Sequence, residues 1–226
     1  KRRSKCRESA LWRWIVEAGE TKKRSQILHS AIIVALLGMS GVACYDEAWA
    51  ESGETTGEST LQAGIEDGIA LLREEEKLAR DVYLALYDVW GHRTFDNISQ
   101  SEQRHMDAMF GVIRSYGLDD PAEDRARGEF LNPELQGLYD ELVERGSRSL
   151  TDALSVGALI EEIDILDLEA ELAEGPPGDV AAVYENLLRG SRNHLRAFVG
   201  NLDTAGVEYT PAQLETSAFD EIVEGD

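Results

Sequence analysis

The chain of 226 residues is long enough for one domain of ordinary size with flanking segments, and its formal net charge is −22 at pH 7. The first fifty residues hold nine Lys/Arg against five acids, which leaves 13 of the 22 basic and 39 of the 44 acidic residues after position 50. A domain this negative repels phosphate, so nucleic acid is not an expected partner. Lys77 is the single lysine after position 50, and this acid-rich composition indicates a salt-adapted source whose carboxylates keep the protein soluble.

An export signal is predicted within residues 1–50. The basic stretch KKRSQ precedes the apolar stretch ILHSAIIVALLGMSGVA, which is the layout of a secretory signal. AWA at 48–50 fits a signal-peptidase site, whereas GVAC, ending at Cys44, is an imperfect lipobox that would carry a lipid. An uncleaved anchor is the alternative, but a membrane span needs about 20 apolar residues without such interruptions. We expect a periplasmic, extracellular or lipid-anchored protein that meets a membrane only through this signal or a lipid on Cys44.

The rest of the chain divides into three segments. Residues 51–60, ESGETTGEST, are small and polar, as is typical of a linker. Residues 61–212 are predicted to form the folded domain, because apolar residues recur there at helical spacing. Residues 213–226 are predicted to be a loosely held acidic tail.

Four long helices and one short helix are predicted in the domain. Their expected bounds are about 61–90, 97–116, 133–146 for the short helix, 149–173 and 179–202. Gly91 and Gly117 end the first two helices, and Asn132 and Asp179 are placed to cap helices that follow them. Roughly thirty residues separate the second and third long helices, enough for the third to begin at the far end. The fold class is therefore all-α, a four-helix bundle with one long crossover that carries the short extra helix.

Polar side chains interrupt the apolar stripe of every long helix. Unpaired buried carboxylates are costly, so such residues must be neutralised, paired or bound to metal. One of them alone would more often be a hydrogen-bonded structural residue, but contributions from four helices together favour a shared metal site. Carboxylates and imidazoles suit iron or manganese, and a bridging carboxylate can hold two ions. The candidate ligands are Glu76, Glu102, His105, Glu161 and His194.

Two alternative metal ligands remain open on the third long helix, and a hydrolytic site on the fourth can be set aside. Glu162 is the second choice to Glu161, and Asp164 could be an alternate ligand one turn further on. Ser191 and His194 could suggest a hydrolytic triad, but a serine and a histidine on one mid-helix face are poorly placed for acyl chemistry. No phosphate-binding glycine loop and no zinc-finger spacing occur in the sequence.

Several motifs resemble known families. EKLARDVY, which begins at Glu76, is similar to the first-helix pattern of rubrerythrins and other ferritin-like proteins, and EQRH is similar to their Glu-x-x-His. More narrowly, REEEKLARDVY, FDNISQSEQRHM, IEEIDILDLE and LLRGSRNHLRAF resemble the domain of unknown function 2202 (DUF2202) family over about residues 61–212. The resemblance implies a ferritin-like four-helix bundle with a carboxylate-bridged metal centre, and it implies no established substrate.

The resemblance also implies a role for each candidate. Glu76 matches the terminal ligand of the first helix, Glu102 a bridging ligand and His105 the imidazole beside it. His194 matches the imidazole of the fourth helix, where Ser191 departs from the family pattern by replacing a second bridging glutamate. Glu76 and Glu102 are only 26 residues apart. A seven-residue loop, 90–96, is expected to bring them level.

The expected function follows from this ligand set. We expect an exported protein that binds one or two iron or manganese ions per chain and uses O2 or peroxide in an oxidation. The alternative is a non-catalytic structural or binding bundle that keeps a degenerate metal site. Metal ions are the expected partners, and assembly of several copies into a homo-oligomer is left open.

Overall fold

The computed structural model describes residues 63–225 as an all-helical protein with six α-helices and no strand in that range. The predicted export signal and linker lie outside the described residues. No helix within 63–225 combines the length and the apolar content that a membrane span requires. The helices are α1 Ala63–Trp90, α2 Arg93–Tyr116, α3 Pro133–Gly146, α4 Leu150–Ala173, α5 Gly178–Thr204 and α6 Thr216–Glu224.

Most predicted helix ends are confirmed. Gly117 ends α2 with a left-handed backbone (φ 65°). The Asn132 side chain accepts a hydrogen bond from the Glu134 backbone and so caps α3. The hydroxyl of Ser149 caps α4 in the same way. These ends could be predicted because each depends on a local side chain or on a glycine that the sequence displays.

The connection between α1 and α2 is shorter than predicted. The second helix begins at Arg93 rather than near residue 97, so a loop over 90–96 is wrong and only two residues separate α1 from α2. Gly91 adopts a left-handed conformation (φ 61°) that turns the chain within this space. Phe95 is fully buried in the first turn of α2, which explains why the helix extends back to include it.

The predicted cap of the fourth long helix is also wrong. That helix, α5, begins at Gly178, and Pro177 at its N-cap position makes no side-chain cap bond. Asp179 lies inside the first turn, where its carboxylate accepts a 2.8 Å hydrogen bond from the Tyr116 hydroxyl. An acid in this position still interacts favourably with the helix dipole.

The four long helices pack side by side, with α1 against α2 and α4, and α5 against α4 and α2. Contacts between α1 and α2 run in opposite directions along the two helices, because Arg73 bonds the Met106 carbonyl whereas Arg80 bonds Gln103. The same holds for α2 and α5, since Tyr116 contacts Asp179 at one end while Phe95 packs on Phe198 at the other. Neighbouring helices are therefore antiparallel.

The long connection between α2 and α4 is held by buried charged residues of α1. Lys77 is almost fully buried and donates to Asp81 (2.6 Å) and to the Ala126 carbonyl (2.8 Å). Glu74 accepts a hydrogen bond from the Leu131 backbone (2.7 Å). Trp90, at the end of α1, donates to the carbonyl of Gly146. The connection thus runs back along α1, and α4 begins at the end of the molecule opposite to where α2 stops, as predicted.

The segment 213–226, predicted as a loosely held acidic tail, is packed. It contains α6, whose Phe219 and Ile222 are buried. Glu162 of α4 fastens the chain just before this helix through one carboxylate. That carboxylate accepts hydrogen bonds from the Tyr209 hydroxyl and from the backbone amides of Ala212, Gln213 and Leu214, at 2.6 to 3.0 Å at their shortest. The sequence did not reveal this attachment because it depends on one buried carboxylate, whereas docking of a segment is normally indicated by an apolar stripe.

We predict that Glu162→Gln releases the segment 209–214. Glutamine keeps the shape but offers a single acceptor oxygen, so several backbone amides lose their partner and the free energy of unfolding falls by about 2 kcal/mol. Hydrogen exchange of the amides of residues 212–214 should become faster. Glu208→Gln, which neutralises an exposed acid of the same segment, serves as control. Equal exchange in both variants would contradict this role of Glu162.

Candidate metal centre

The structure brings all five predicted residues together in the space between the four long helices. Glu76 of α1, Glu102 and His105 of α2, Glu161 of α4 and His194 of α5 form two groups of three with Glu102 in common. Within each group, one nitrogen or oxygen atom of every side chain lies within 4.8 Å of the others. Side chains from four helices therefore converge on one buried place.

The first group lies between α1 and α2. Nδ1 of His105 lies 3.1 Å from Oε2 of Glu76 and 2.8 Å from Oε2 of Glu102. Because only two residues connect the helices, His105, twelve residues into α2, is level with Glu76, fourteen residues before the end of α1. Glu76 thus meets Glu102 as expected, together with His105, although two residues rather than a seven-residue loop connect the helices.

The second group lies between α2, α4 and α5. Nδ1 of His194 lies 2.8 Å from Oε1 of Glu102 and 3.5 Å from Oε2 of Glu161. The two imidazole rings are stacked, with centroids 5.5 Å apart. Glu102 thus directs one carboxylate oxygen to each histidine, which is the disposition that a bridging carboxylate requires.

Several atoms of the centre point into this space without a hydrogen-bond partner. All of them are buried. Nδ1 of His194 and Oε1 of Glu102 lie close together, but their relative direction is not that of a hydrogen bond. The unpartnered atoms are Oε1 of Glu76, Oε1 of Glu102 and Nδ1 of His194. Buried polar atoms of native proteins are nearly always satisfied, so a cluster of unsatisfied donor atoms fits a centre that binds a cation.

Burial and mutual charge shift the pKa of each group. Burial raises the pKa of Glu76 to about 7, and the nearby Glu102 carboxylate adds to the rise. Burial opposes ionisation of Glu102 too, but the charges of His194 and His105 win and lower its pKa to about 2. Burial would lower the pKa of both histidines, yet the adjoining carboxylates raise them to about 11 for His105 and about 10 for His194. Glu102 is thus the carboxylate that stays charged, held between two imidazoliums.

The two open alternatives on α4 are separated by the structure. Glu162 faces away from the centre and binds the backbone of 212–214, so it is not within reach of the cluster. Asp164 is buried one turn from Glu161 and accepts a hydrogen bond from the Ser191 hydroxyl. The hydroxyl of Ser191 on α5 therefore faces a carboxylate on α4.

Two supporting residues were not predicted. The Tyr83 hydroxyl donates a 2.5 Å hydrogen bond to Oε1 of Glu161 and so orients that carboxylate. Gly190 lies against the ring of His105, and a Cβ atom there would lie 2.5 Å from Nε2. A glycine inside a helix, next to Ser191, was the available signal for this close approach.

The family model described as "Uncharacterized protein domain (DUF2202)" matches residues 66–226. The chain belongs to this family. The matched region includes the segment that had been predicted as a tail beyond the domain.

The chain is also similar to the uncharacterized protein MJ0754 of Methanocaldococcus jannaschii. It is 48% identical over 157 residues, which are 70% of this chain and 85% of that protein. The crystal structure of the hypothetical protein MJ0754 from Methanococcus jannaschii is similar to this chain with a TM-score of 0.73 and 43% identity. The similarity covers 76% of this chain and 99% of the other. The predicted membership of the DUF2202 family is thereby confirmed.

We predict that the metal-free protein loses stability as the pH rises from 5 to 10. Glu76, His105 and His194 all bind protons more tightly in the folded than in the unfolded chain, so unfolding releases protons. Glu76 causes this loss between its ordinary pKa of 4.5 and about 7, and the histidines cause it from 6.5 to about 10 and 11. Thermal unfolding of chelator-treated protein should show a falling Tm, and His105→Gln should flatten the alkaline part. A Tm that rises over this range would contradict the arrangement.

Proposed function

We propose that this DUF2202 protein binds iron or manganese in the centre formed by Glu76, Glu102, His105, Glu161 and His194. The observation that carries the proposal is the convergence of these side chains from four helices, with buried donor atoms that no other group satisfies. Oxygen and imidazole nitrogen donors suit these metals, and the absence of thiols from the centre disfavours softer ions.

The geometry favours two ions over one. Glu102 belongs to both groups and presents a different oxygen to each histidine. One ion would be held by Glu76, Glu102 and His105, and a second by Glu102, Glu161 and His194. Three carboxylates leave two divalent cations with one positive charge in excess. Asp164, which is buried one turn from Glu161 and interacts with Glu76 and Glu102, could balance it. We therefore propose up to two ions per chain, with the second dependent on Asp164.

We further propose that α1, α2, α4 and α5 form a ferritin-like four-helix bundle. Antiparallel packing of neighbouring helices, the long connection between α2 and α4, and the inward acids and histidines at mid-helix support this assignment. The motifs that resemble rubrerythrins supply the matching residues in the same order along the chain.

The chemistry proposed for the centre is an oxidation that uses O2 or peroxide. A bound iron or manganese ion would supply the redox change. The residues of the chain contribute a nearly water-free place, because Glu76, Glu102 and Glu161 are each no more than 2% exposed. The hydroxyl of Tyr83 fixes the orientation of Glu161, and Gly190 leaves room for the His105 ring.

A second candidate is a non-catalytic bundle in which the same residues serve as a structural network. The observation in its favour is that the cluster can neutralise itself, since two protonated histidines flank the ionised Glu102. The loss of a carboxylate at Ser191 points the same way. The two candidates differ in whether the centre takes up metal when it is offered.

We also propose that the protein is exported, on the strength of the signal-like segment within residues 1–50. Self-association stays a prediction.

The neighbouring acids Glu161 and Glu162 provide the test of metal binding. Glu161→Gln removes a donor oxygen from the centre and should lower the affinity for Mn2+ at least tenfold in calorimetric titration, whereas Glu162→Gln should leave it unchanged. Loss of a residue that only orients a metal ligand already costs roughly 10–100-fold in affinity, so loss of a ligand oxygen should cost at least as much. Equal affinity of the wild type and both variants, or no binding at all, would contradict the proposal.

A second pair of variants tests the position of His105. In Gly190→Ala the new methyl group displaces the imidazole, so metal content should fall by about half or more, as elemental analysis would measure. Gly200→Ala adds the same methyl group to the same helix where nothing lies within 4 Å, and it should keep its metal. The control should also gain about 0.5–1 kcal/mol of stability from the better helix former. Full metal content in both would show that His105 is not a ligand.

A further inference from the structure

A line of carboxylates leads along α4 away from the centre. Asp164, Asp167 and Glu171 follow Glu161 at spacings of three, three and four residues, on the flank of α4 that faces α1. Glu171 at the outer end is half-buried, whereas Asp167, Asp164 and Glu161 are each at most 9% exposed. Gly68 of α1 lies against the Glu171 carboxylate, where any larger side chain would displace it.

Glu75 faces this line from α1. It is 7% exposed, and both of its carboxylate oxygens are buried without a hydrogen-bond partner. The carboxyl groups of Asp167, Asp164 and Glu76 lie close enough to interact with it. A carboxylate this deeply buried costs stability unless a cation is near.

Glu75 and Asp164 also line a small cavity. It lies between α1, α3 and α4, has a volume of about 20 Å³ and is otherwise apolar. That is room for about one water molecule or one ion. The apolar residues around it are Leu78, Ala79, Leu135, Leu138, Ile160 and Ile163.

We propose that Glu171, Asp167, Glu75 and Asp164 form a route by which a divalent cation passes from the C-terminal end of α4 to the centre at Glu76 and Glu161. The inference rests on the proposed function, since a route requires a destination. The ligand atoms along it do not converge in threes, unlike those of the centre, in the part of the chain that the structure describes. Weak successive sites of this kind let an ion move on rather than stay.

The test is the rate of metal loading. Chelator-treated full-length protein is mixed with Co2+ in a stopped-flow instrument, and the visible absorption of bound Co2+ reports the uptake. Glu75→Gln should load about tenfold more slowly, the scale on which fields of this kind change association rates. Its final Co2+ content should match that of the wild type. Asp167→Asn should also slow loading, and Glu75→Asp, which keeps the charge, should restore the rate.

Glu141→Gln is the matched control, because it neutralises an exposed acid of α3 and should load like the wild type. A wild-type protein that takes up no Co2+ would overturn the metal centre and the route together. Normal uptake by the wild type with an equally fast Glu75→Gln would overturn the route alone. A Glu75→Gln variant with lower final content at an unchanged rate would make Glu75 a ligand and likewise overturn the route.

Discussion

Burial of negative charge between the long helices is the constraint on which the rest of this structure depends. Six carboxyl groups in the interior of α1, α2 and α4 are each at most 9% exposed, and a buried carboxylate is stable only when it is protonated, hydrogen-bonded or beside a cation. The two histidines of the centre can supply two positive charges. Bound metal ions would supply the remaining positive charge that the buried carboxylates require. The six residues are Glu75, Glu76, Glu102, Glu161, Asp164 and Asp167.

The other buried charges of the fold serve a different purpose. Arg73 and Lys77 point to the outer side of α1, where they bind Asp120 and Asp81 and hold the long connection in place. Glu162 turns to the outer side of α4 and holds the C-terminal segment. Charged residues on the outer flanks thus fasten the parts that surround the long helices, and their charges are satisfied within the chain. Among those that face inward, Glu75 has no hydrogen-bond partner at either oxygen, and Glu76 and Glu102 each have one oxygen without a partner. This contrast distinguishes the centre from its supports.

The sequence was sufficient to predict the five candidate ligands, because each interrupts an apolar stripe whose period identifies the inward face of a helix. It favoured Glu161 over Glu162 because Glu161 lies on the cleaner apolar stripe, and it kept Glu162 as the second choice. The partner of Glu162 is 50 residues away, and no local pattern reveals it. The early start of α2 was missed because His92 is not a strong capping residue and the anchoring role of Phe95 is tertiary. Glu75 was overlooked because its neighbour Glu76 already accounted for the polar position in the seam.

The most direct test of the central claim is anomalous X-ray diffraction from crystals of the protein grown with Mn2+. We expect one or two anomalous peaks between the four long helices, one beside Nδ1 of His105 and the other beside Nδ1 of His194, with Glu102 between them. A fully built interior without an anomalous peak, or peaks confined to acids on the surface, would contradict it.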